Sequence, residues 1–146
     1  QVNRIERCIY KNWNSEAYFE HLCRFDLPPQ KPFKDFSRGM KMKLSLAVAL
    51  SHDARLLILD EATGGLDPLA RDELLDELAE FIADGNHAIL LSSHIVGDIE
   101  KLCDRVAFLH KGRLILDVEK QKLLETHLNQ TLEQIILDMT REERCK

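Results

Sequence analysis

The first quarter of the sequence carries apolar residues at the spacing of an α-helix. Residues 2–11 place Val2, Ile5 and Ile9 on one helical face. This pattern predicts a first helix that packs through an apolar stripe. A second helix is predicted with Asn14 or Ser15 as its N-cap and with Tyr18, Leu22 and Phe25 on its apolar face.

A proline-rich loop separates these two helices from a third. Residues 28–32 contain three prolines, which cannot continue a helix and stiffen the loop. Ser37 then offers a hydroxyl as N-cap, and residues 38–51 contain no proline and, after Gly39, no glycine. The sequence therefore predicts a third helix over 38–51.

Short apolar runs begin at residue 55 and predict β-strands. The runs at 55–60 and 88–91 are apolar on both faces, which is typical of buried parallel strands. Between them, a helix is predicted to begin at Pro68 and to end near Asp84, with Gly85 as its stop signal. The other predicted elements are a helix from residue 95, strands over 105–109 and 114–118 joined by a two-residue turn at Lys111-Gly112, a helix over 119–138 and a charged tail over 140–146. This alternation predicts an α/β fold with a parallel sheet covered by helices on both faces.

Composition and charge narrow the range of functions. The chain has 146 residues, of which 45% are hydrophobic and 31% charged, as expected for one globular domain. Its net charge of −5 argues against binding along a phosphate backbone, so we expect no nucleic-acid partner. The longest uncharged apolar run, 44–51, is far shorter than the ~20 residues that span a bilayer, and the N-terminus shows no signal-peptide pattern. The four cysteines are too scattered for a metal site and are expected to be reduced: Cys8, Cys23, Cys103 and Cys145.

Acidic, hydroxyl and histidine side chains follow the first two predicted strands. Asp60 and Glu61 end the first strand, and Ser92, Ser93 and His94 follow the second. Ligands of parallel sheets sit beyond the carboxyl ends of the strands, so these groups are expected at one edge. A carboxylate at the tip of a rigid strand can orient a magnesium ion and its waters, and the next carboxylate can polarise an attacking water. In the alternative interpretation, Asp60 and Glu61 are only polar residues at the end of a strand, and His94 caps a helix.

Four segments, in a fixed order, carry a family resemblance. They are residues 36–40 (Phe-Ser-Arg-Gly-Met), 56–63 (Leu-Leu-Ile-Leu-Asp-Glu-Ala-Thr), 64–68 (Gly-Gly-Leu-Asp-Pro) and 92–94 (Ser-Ser-His). Together they resemble the signature motif, the Walker B motif, the D-loop and the H-loop of the ATP-binding cassette (ABC) ATPases. The resemblance covers essentially the whole chain. It implies a P-loop NTPase-like parallel sheet covered by helices, preceded by an N-terminal helical subdomain.

The resemblance also implies two cofactors, ATP and Mg²⁺, and roles for individual residues. Glu61 and His94 would be catalytic, and Asp60 would bind Mg²⁺ through water. A serine and a glycine at a helix N-terminus suit an anion, because free N–H groups and the helix dipole attract negative charge. By resemblance, the signature residues that bind an ATP held by the opposite subunit are Ser37, Arg38, Gly39 and Met40, and the D-loop residue is Asp67.

The sequence departs from the family pattern at four positions. Arg38 stands where a second glycine is usual, and Met40 stands where glutamine is usual. Ala62 replaces a proline and Gly64 replaces a serine. These departures bear on rate and dimer affinity and leave the predicted acidic residues and the histidine unchanged.

The phosphate-wrapping motif G-x-x-x-x-G-K-S/T (Walker A) occurs nowhere in the sequence. In the family this motif precedes the helical subdomain. We therefore expect the chain to be the C-terminal portion of one ABC ATPase domain, with the N-terminal strands absent. Its predicted parts are a helical subdomain with the signature motif (1–51), a core with Walker B, D-loop and H-loop (52–118), and C-terminal helices with a tail (119–146).

The resulting functional prediction is a part of the ATP-hydrolysing subunit of an exporter-type ABC transporter. The implied partners are a second ATPase subunit in a head-to-tail dimer and a transmembrane permease, at the cytoplasmic face of the cell membrane. Alone, the chain is expected to be inactive. One alternative is the head half of a DNA-organising ATPase split by a long coiled coil, which would need sustained heptads before the signature. Another is a non-catalytic binding module, which loss of Glu61 or His94 would favour.

Overall fold

The computed structural model describes residues 2–144, and the chain divides into two compact units, Gln1–Ser92 and Ser93–Lys146. The described elements of the first unit are α1 (Val2–Ile9), α2 (Ser15–Arg24), a 3₁₀ helix (Phe33–Asp35), α3 (Arg38–Leu50), β1 (Leu56–Asp60), α4 (Pro68–Ile82) and β2 (Ala88–Ser92). Those of the second unit are α5 (Val96–Leu102), β3 (Arg105–His110), β4 (Arg113–Glu119), α6 (Lys120–Thr126) and α7 (Leu132–Arg144). All predicted strands agree with these bounds to within one residue at each end.

Side-chain caps begin three helices of the first unit, α2, α3 and α4. The side-chain oxygen of Asn14 accepts hydrogen bonds from the N–H groups of Glu16 and Ala17 at 3.0 and 3.1 Å. Ser37 caps α3 and Asp67 caps α4 in the same way. These bonds satisfy N–H groups that a helix leaves unpaired in its first turn, so each helix has a defined start.

The core of the first unit consists mainly of leucines from α3, β1 and α4. Its buried members include Leu44, Leu46, Ala47, Leu57, Leu74, Leu75 and Leu78. Helix α4 lies against β2, and α2 lies against α3. Tyr18 and Phe25 of the second predicted apolar face are buried, whereas Ile5 and Ile9 of α1 are exposed. The apolar face predicted for α1 is therefore not covered.

Strands β1 and β2 pair in parallel, in a register that places Asp60 opposite Ser92. Successive side chains of a strand point to opposite faces, so Leu57 is buried while its neighbour Ile58 is 71% exposed. Leu90 of β2 is exposed as well. The predicted parallel sheet is confirmed, but the expectation that both faces are covered is wrong within this unit, because its core packs against the face that carries Leu57.

The second unit joins β3 and β4 into an antiparallel hairpin. Lys111 and Gly112 have positive φ angles of 46° and 74°, as a two-residue type I′ turn requires, which confirms the predicted hairpin. Helix α5 lies against α7. One buried cluster of this unit contains Leu123, Leu132 and Ile135.

The helical segment predicted over 119–138 consists of two helices, because α6 ends at Thr126 and α7 begins at Leu132. Asn129 between them adopts a left-handed conformation at φ 72°, which no helix tolerates. A reciprocal capping box then begins α7. The N–H of Gln134 donates to Thr131 Oγ1 at 3.3 Å, and the N–H of Thr131 donates to Gln134 Oε1 at 2.9 Å.

Three other expectations concern the tail, the cysteines and membrane spans. Helix α7 continues to Arg144, so most of the predicted charged tail is helical, while Cys145 and Lys146 lie outside the described residues. Cys8, Cys23 and Cys103 are free thiols, as predicted. The longest helix within residues 2–144 is α4, with 15 residues, and nothing in this range is long and apolar enough to cross a membrane as a helix.

Candidate functional site

The carboxyl ends of β1 and β2 bring Asp60, Glu61 and Ser92 together at one edge of the parallel sheet. The Ser92 hydroxyl donates a hydrogen bond to Asp60 Oδ1. The N–H of Glu61 donates to the Ser92 carbonyl oxygen at 3.0 Å and to Ser92 Oγ at 3.2 Å. The register that pairs Asp60 with Ser92 produces this arrangement. Asp60 remains exposed, so its carboxylate is held by the hydroxyl and is open to solvent.

Glu61 begins a tight loop whose backbone is held by short-range hydrogen bonds. Its φ of 48° lies in the left-handed region, which costs a non-glycine residue about 1–3 kcal/mol. The N–H of Gly64 donates to the Glu61 carbonyl at 3.1 Å, and the N–H of Leu66 donates to the Thr63 carbonyl at 3.2 Å. Thr63 is buried. The loop thus keeps Glu61 half-buried beside Asp60.

The signature segment, residues 36–40, lies at the start of α3. Ser37 Oγ accepts a hydrogen bond from Met40 N–H at 3.2 Å, as an N-cap does. The first-turn N–H groups and the helix dipole make this end of α3 electropositive. Lys31 adds a cation, with its Nζ 3.8 Å from Met40 Sδ. Ser37 and Arg38 are exposed, so an anion could reach this helix end.

The D-loop, residues 64–68, lies at the start of α4. Asp67 Oδ1 accepts a hydrogen bond from Ala70 N–H at 3.0 Å, and Pro68 occupies the first helical position. A cleft of about 600 Å³ is lined by residues 37–40 on one side and by residues 65–67 on the other. The structure therefore brings two of the predicted site segments together within the first unit.

Arg38 reaches from the signature segment to the D-loop. A Cβ atom placed on Gly65 would lie 3.0 Å from Arg38 Nη1, and one placed on Gly64 would lie 3.6 Å from Nη2. Gly65 also has a φ of 72°, which glycine adopts without strain. A side chain at residue 65 would therefore crowd the guanidinium, whereas a Cβ at residue 64 would make ordinary contact with it.

Two more cations line the cleft, and both pair with carboxylates of α4. Lys43 Nζ lies 2.5 Å from Glu73 Oε2, and Arg24 Nη2 lies 2.7 Å from Glu77 and 2.5 Å from Glu80. Burial raises the pKa of Glu77 against the opposing effect of Arg24, whereas the Arg24 hydrogen bond lowers the pKa of the exposed Glu80. These pairs connect α2 and α3 to α4 and help to keep the starts of α3 and α4 side by side.

His94 belongs to the second unit and lies exposed between β2 and α5. The neighbouring Ser93 hydroxyl donates to the buried Asp98 at 3.1 Å and accepts from Ile95 N–H at 3.1 Å. The hydroxyl bond at this helix start therefore comes from Ser93. The predicted contact of His94 with a γ-phosphate stays a prediction.

A metal ion at this site would have few protein ligands. Within residues 2–144, no group of three or more His, Cys, Asp or Glu side chains could enclose an ion. Mg²⁺ often keeps several waters and binds through one or two carboxylates plus substrate phosphates. The exposed carboxylate of Asp60, oriented by Ser92, fits that mode of binding.

Comparison with known proteins identifies the family. A family model described as "ABC transporter" matches residues 3–64. The lantibiotic transport ATP-binding protein SrtF of Streptococcus pyogenes is 41% identical over 106 residues, which cover 70% of this chain and 46% of that protein. The chain belongs to the ABC transporter ATPase family. Nod factor export ATP-binding protein I of Rhizobium leguminosarum bv. viciae is 46% identical over 94 residues, which cover 64% of this chain and 30% of that protein.

A solved structure, described as the ATP-binding subunit of an ABC transporter, confirms the ABC fold. It matches with a TM-score of 0.79 at 28% identity, over 94% of this chain and 60% of that one. The P-loop NTPase-like α/β class is thereby confirmed. The chain spans less than half the length of the two curated relatives. These matches favour the transporter interpretation over the DNA-organising one, and α1 and α2, with 8 and 10 residues, form no long coiled coil before the signature.

Two contacts of this candidate site were not predicted from the sequence. The first is the hydrogen bond from Ser92 to Asp60. Its signal was available, because two parallel strands of similar length that end at these residues place their last side chains next to each other. The second is the contact of Arg38 with the D-loop. Consecutive glycines at 64 and 65 indicate room for a bulky neighbour, but they do not say which residue fills it.

Proposed function

We propose that this chain supplies the signature, Walker B, D-loop and H-loop segments of the ATP-hydrolysing subunit of an exporter-type ABC transporter. The observation that carries the proposal is the sheet edge where Asp60 and Glu61 stand side by side, both bonded to Ser92. The names of the relatives, which refer to lantibiotic transport and to Nod factor export, support a transport role.

Phosphoryl transfer depends mainly on positioning and on stabilisation of charge. Glu61 would polarise the water that attacks the γ-phosphate, from a backbone conformation that its loop maintains. Asp60 would hold Mg²⁺ through water, and a bound Mg²⁺ supplies positive charge to the phosphates. His94 would contact the γ-phosphate.

The start of α3 would bind the phosphates of an ATP that a second subunit holds. The binding segment would consist of Ser37, Arg38, Gly39 and Met40. Asp67 would place the D-loop next to this segment. A site shared in this way requires a head-to-tail dimer, and transport requires a transmembrane permease partner at the cytoplasmic face of the membrane.

The chain alone is expected to bind Mg-ATP weakly and to hydrolyse none. Its sequence contains no phosphate-wrapping loop, so the residues described above would meet the nucleotide without that main source of affinity. Calorimetry with Mg-ATP on the isolated chain measures this, and sub-micromolar binding would contradict it.

The decisive experiment is Glu61→Gln in the complete ATPase subunit that carries this chain. The substitution keeps the shape and removes the charge, so turnover should fall roughly 100-fold or more while ATP affinity stays near wild type. ATP-bound dimers should accumulate on size-exclusion chromatography. Asp60→Asn should instead change the Mg²⁺ dependence. Glu133→Gln, in the first turn of α7, is the matched control and should leave turnover unchanged.

Phosphate release measured at steady state decides between the outcomes. If Glu61→Gln turns over at the wild-type rate, Glu61 is only a polar residue at the end of a strand. A non-catalytic binding module then becomes the better interpretation.

A further inference from the structure

The whole guanidinium group of Arg38 covers the D-loop of its own chain. Around the position of a Cβ on Gly65, its Nη1, Cζ and Nε atoms lie at 3.0, 3.3 and 3.6 Å. Nη1 is the nearest of these atoms, and Cζ and Nε lie beside it, so the guanidinium lies close to Gly65. Lys43 and Arg24, which line the same cleft, pair with carboxylates of α4 instead.

A second contact joins the same two segments from the opposite direction. A Cβ on Gly39 would lie 3.5 Å from Leu66 Cδ2, so the D-loop leucine lies next to the signature segment. The N–H of Leu66 closes a turn onto the Thr63 carbonyl. The signature segment and the D-loop are thus connected by one aliphatic contact and by one cationic contact.

The loop of Glu61 adjoins the cationic contact. A Cβ on Gly64 would lie 3.6 Å from Arg38 Nη2 and 3.6 Å from Glu61 Oε2. A positive and a negative group therefore flank the same glycine. Because the Gly64 N–H also bonds the Glu61 carbonyl, a displacement of Arg38 would be transmitted to the backbone that carries Glu61.

We propose that Arg38 is a positioning residue that holds the D-loop, and through it Glu61, against the signature segment of the same chain. Within the signature segment, this gives Arg38 alignment of the loop as its main role. An anion bound at the start of α3 would then be coupled through Arg38 and Gly64 to Glu61 in the same subunit. The catalytic consequence rests on the proposed function, whereas the contact itself does not.

Amide hydrogen exchange of the 146-residue chain tests the contact. The N–H groups of Gly64 and Leu66 report the loop, and that of Ala88, which donates to the Arg55 carbonyl at 2.9 Å, reports the sheet. Arg38→Ala should raise exchange about fivefold at Gly64 and Leu66 and leave Ala88 within about twofold. Equal increases at all three amides, or none at the loop, would overturn the proposal.

A double-mutant cycle separates the contact from backbone strain. In Gly65→Ala, the new Cβ both strains the positive φ and displaces the guanidinium. The strain is the same with or without Arg38, so it cancels in the cycle with Arg38→Ala. Gly65→Ala should raise loop exchange by a smaller factor in the Arg38→Ala background than in wild type. Independent, multiplicative effects would contradict the proposal.

Kinetics of the complete ATPase subunit test the catalytic consequence. Arg38→Ala should lower kcat about tenfold with KM for ATP within about twofold, because alignment of Glu61 matters to the transition state. Arg38→Lys keeps the charge without the planar group and should recover part of the loss. Arg141→Ala, at an exposed arginine of α7, is the control and should keep the wild-type kcat.

The outcomes of this test and of the functional test are distinguishable. A rise in KM at unchanged kcat would make Arg38 a phosphate ligand and overturn the positioning role. If Glu61→Gln leaves turnover unchanged, the proposed function fails, and hydrogen exchange still decides whether Arg38 holds the loop.

Discussion

The Ser92 hydroxyl donates a hydrogen bond to Asp60, its register partner across the parallel strands β1 and β2. The same oxygen accepts the N–H of Glu61 at 3.2 Å. One hydroxyl therefore orients the side chain of one acidic residue and the backbone of the next. Because serine is neutral, it orients the Asp60 carboxylate without cancelling its charge, which stays available to a cation.

Ser92→Ala should weaken the apparent affinity for Mg²⁺ during turnover of the complete subunit. Loss of one hydrogen bond to an exposed carboxylate is expected to raise the Mg²⁺ concentration for half-maximal rate about fivefold. Ser92→Thr retains a hydroxyl and is the matched control. Magnesium titrations of phosphate release compare the variants, and equal behaviour of alanine and threonine would show that the hydroxyl does not position Asp60.

The core of the first unit should be most sensitive on the inner face of α4. Leu78 is 0% exposed, whereas Leu69 on the same helix is 69% exposed. Leu78→Ala should lower the free energy of unfolding by about 2–5 kcal/mol, because it leaves a cavity. Leu69→Ala should change it by less than about 0.5 kcal/mol. Urea denaturation measures both, and similar losses would contradict the orientation of α4.

Stability should fall as the pH drops below about 6.5, through His21. Burial, and then the charge of Arg24, lower the pKa of His21 in the folded chain, against the weaker effects of Glu20 and Glu80. The unfolded chain therefore takes up a proton that the folded chain resists, which favours unfolding at lower pH.

The test for His21 is the His21→Gln variant, which removes this proton site. Its unfolding free energy should change less than that of wild type between about pH 7.5 and pH 5.5. Burial raises the pKa of Glu77, so Glu77 also makes stability depend on pH. Because Glu77 is present in both chains, its contribution cancels in the comparison. Parallel pH profiles of the two chains would show that His21 does not contribute.

The open face of the parallel sheet should promote self-association of the isolated chain. Ile58 and Leu90 expose apolar surface there, and such patches favour contact between copies. Ile58→Lys should weaken association about tenfold, which corresponds to the free energy of burying one aliphatic side chain. Leu128→Lys, at an exposed leucine of the second unit, is the control. Sedimentation at several concentrations measures the effect, and a wild-type chain that stays monomeric throughout would refute it.

Local interactions account for what could be predicted of the fold. Asn14 and Ser37 begin helices through bonds to residues two or three positions away, and the Lys111-Gly112 turn needs only its own backbone angles. The capping box of Thr131 and Gln134 is equally local. It defines the start of α7 at Leu132 within the segment that the sequence predicts to be helical.

By itself, the sequence determined the family, the order of its motifs, and the acidic pair that ends the first strand. These properties depend on residue identity and on spacing along the chain. Only the tertiary structure decided that Ser92 orients Asp60, that Arg38 covers the D-loop glycines, and that Ile58 faces solvent. Each of these results depends on strand register or on how α3 packs beside α4, and such contacts join residues that are distant in sequence and share no local pattern.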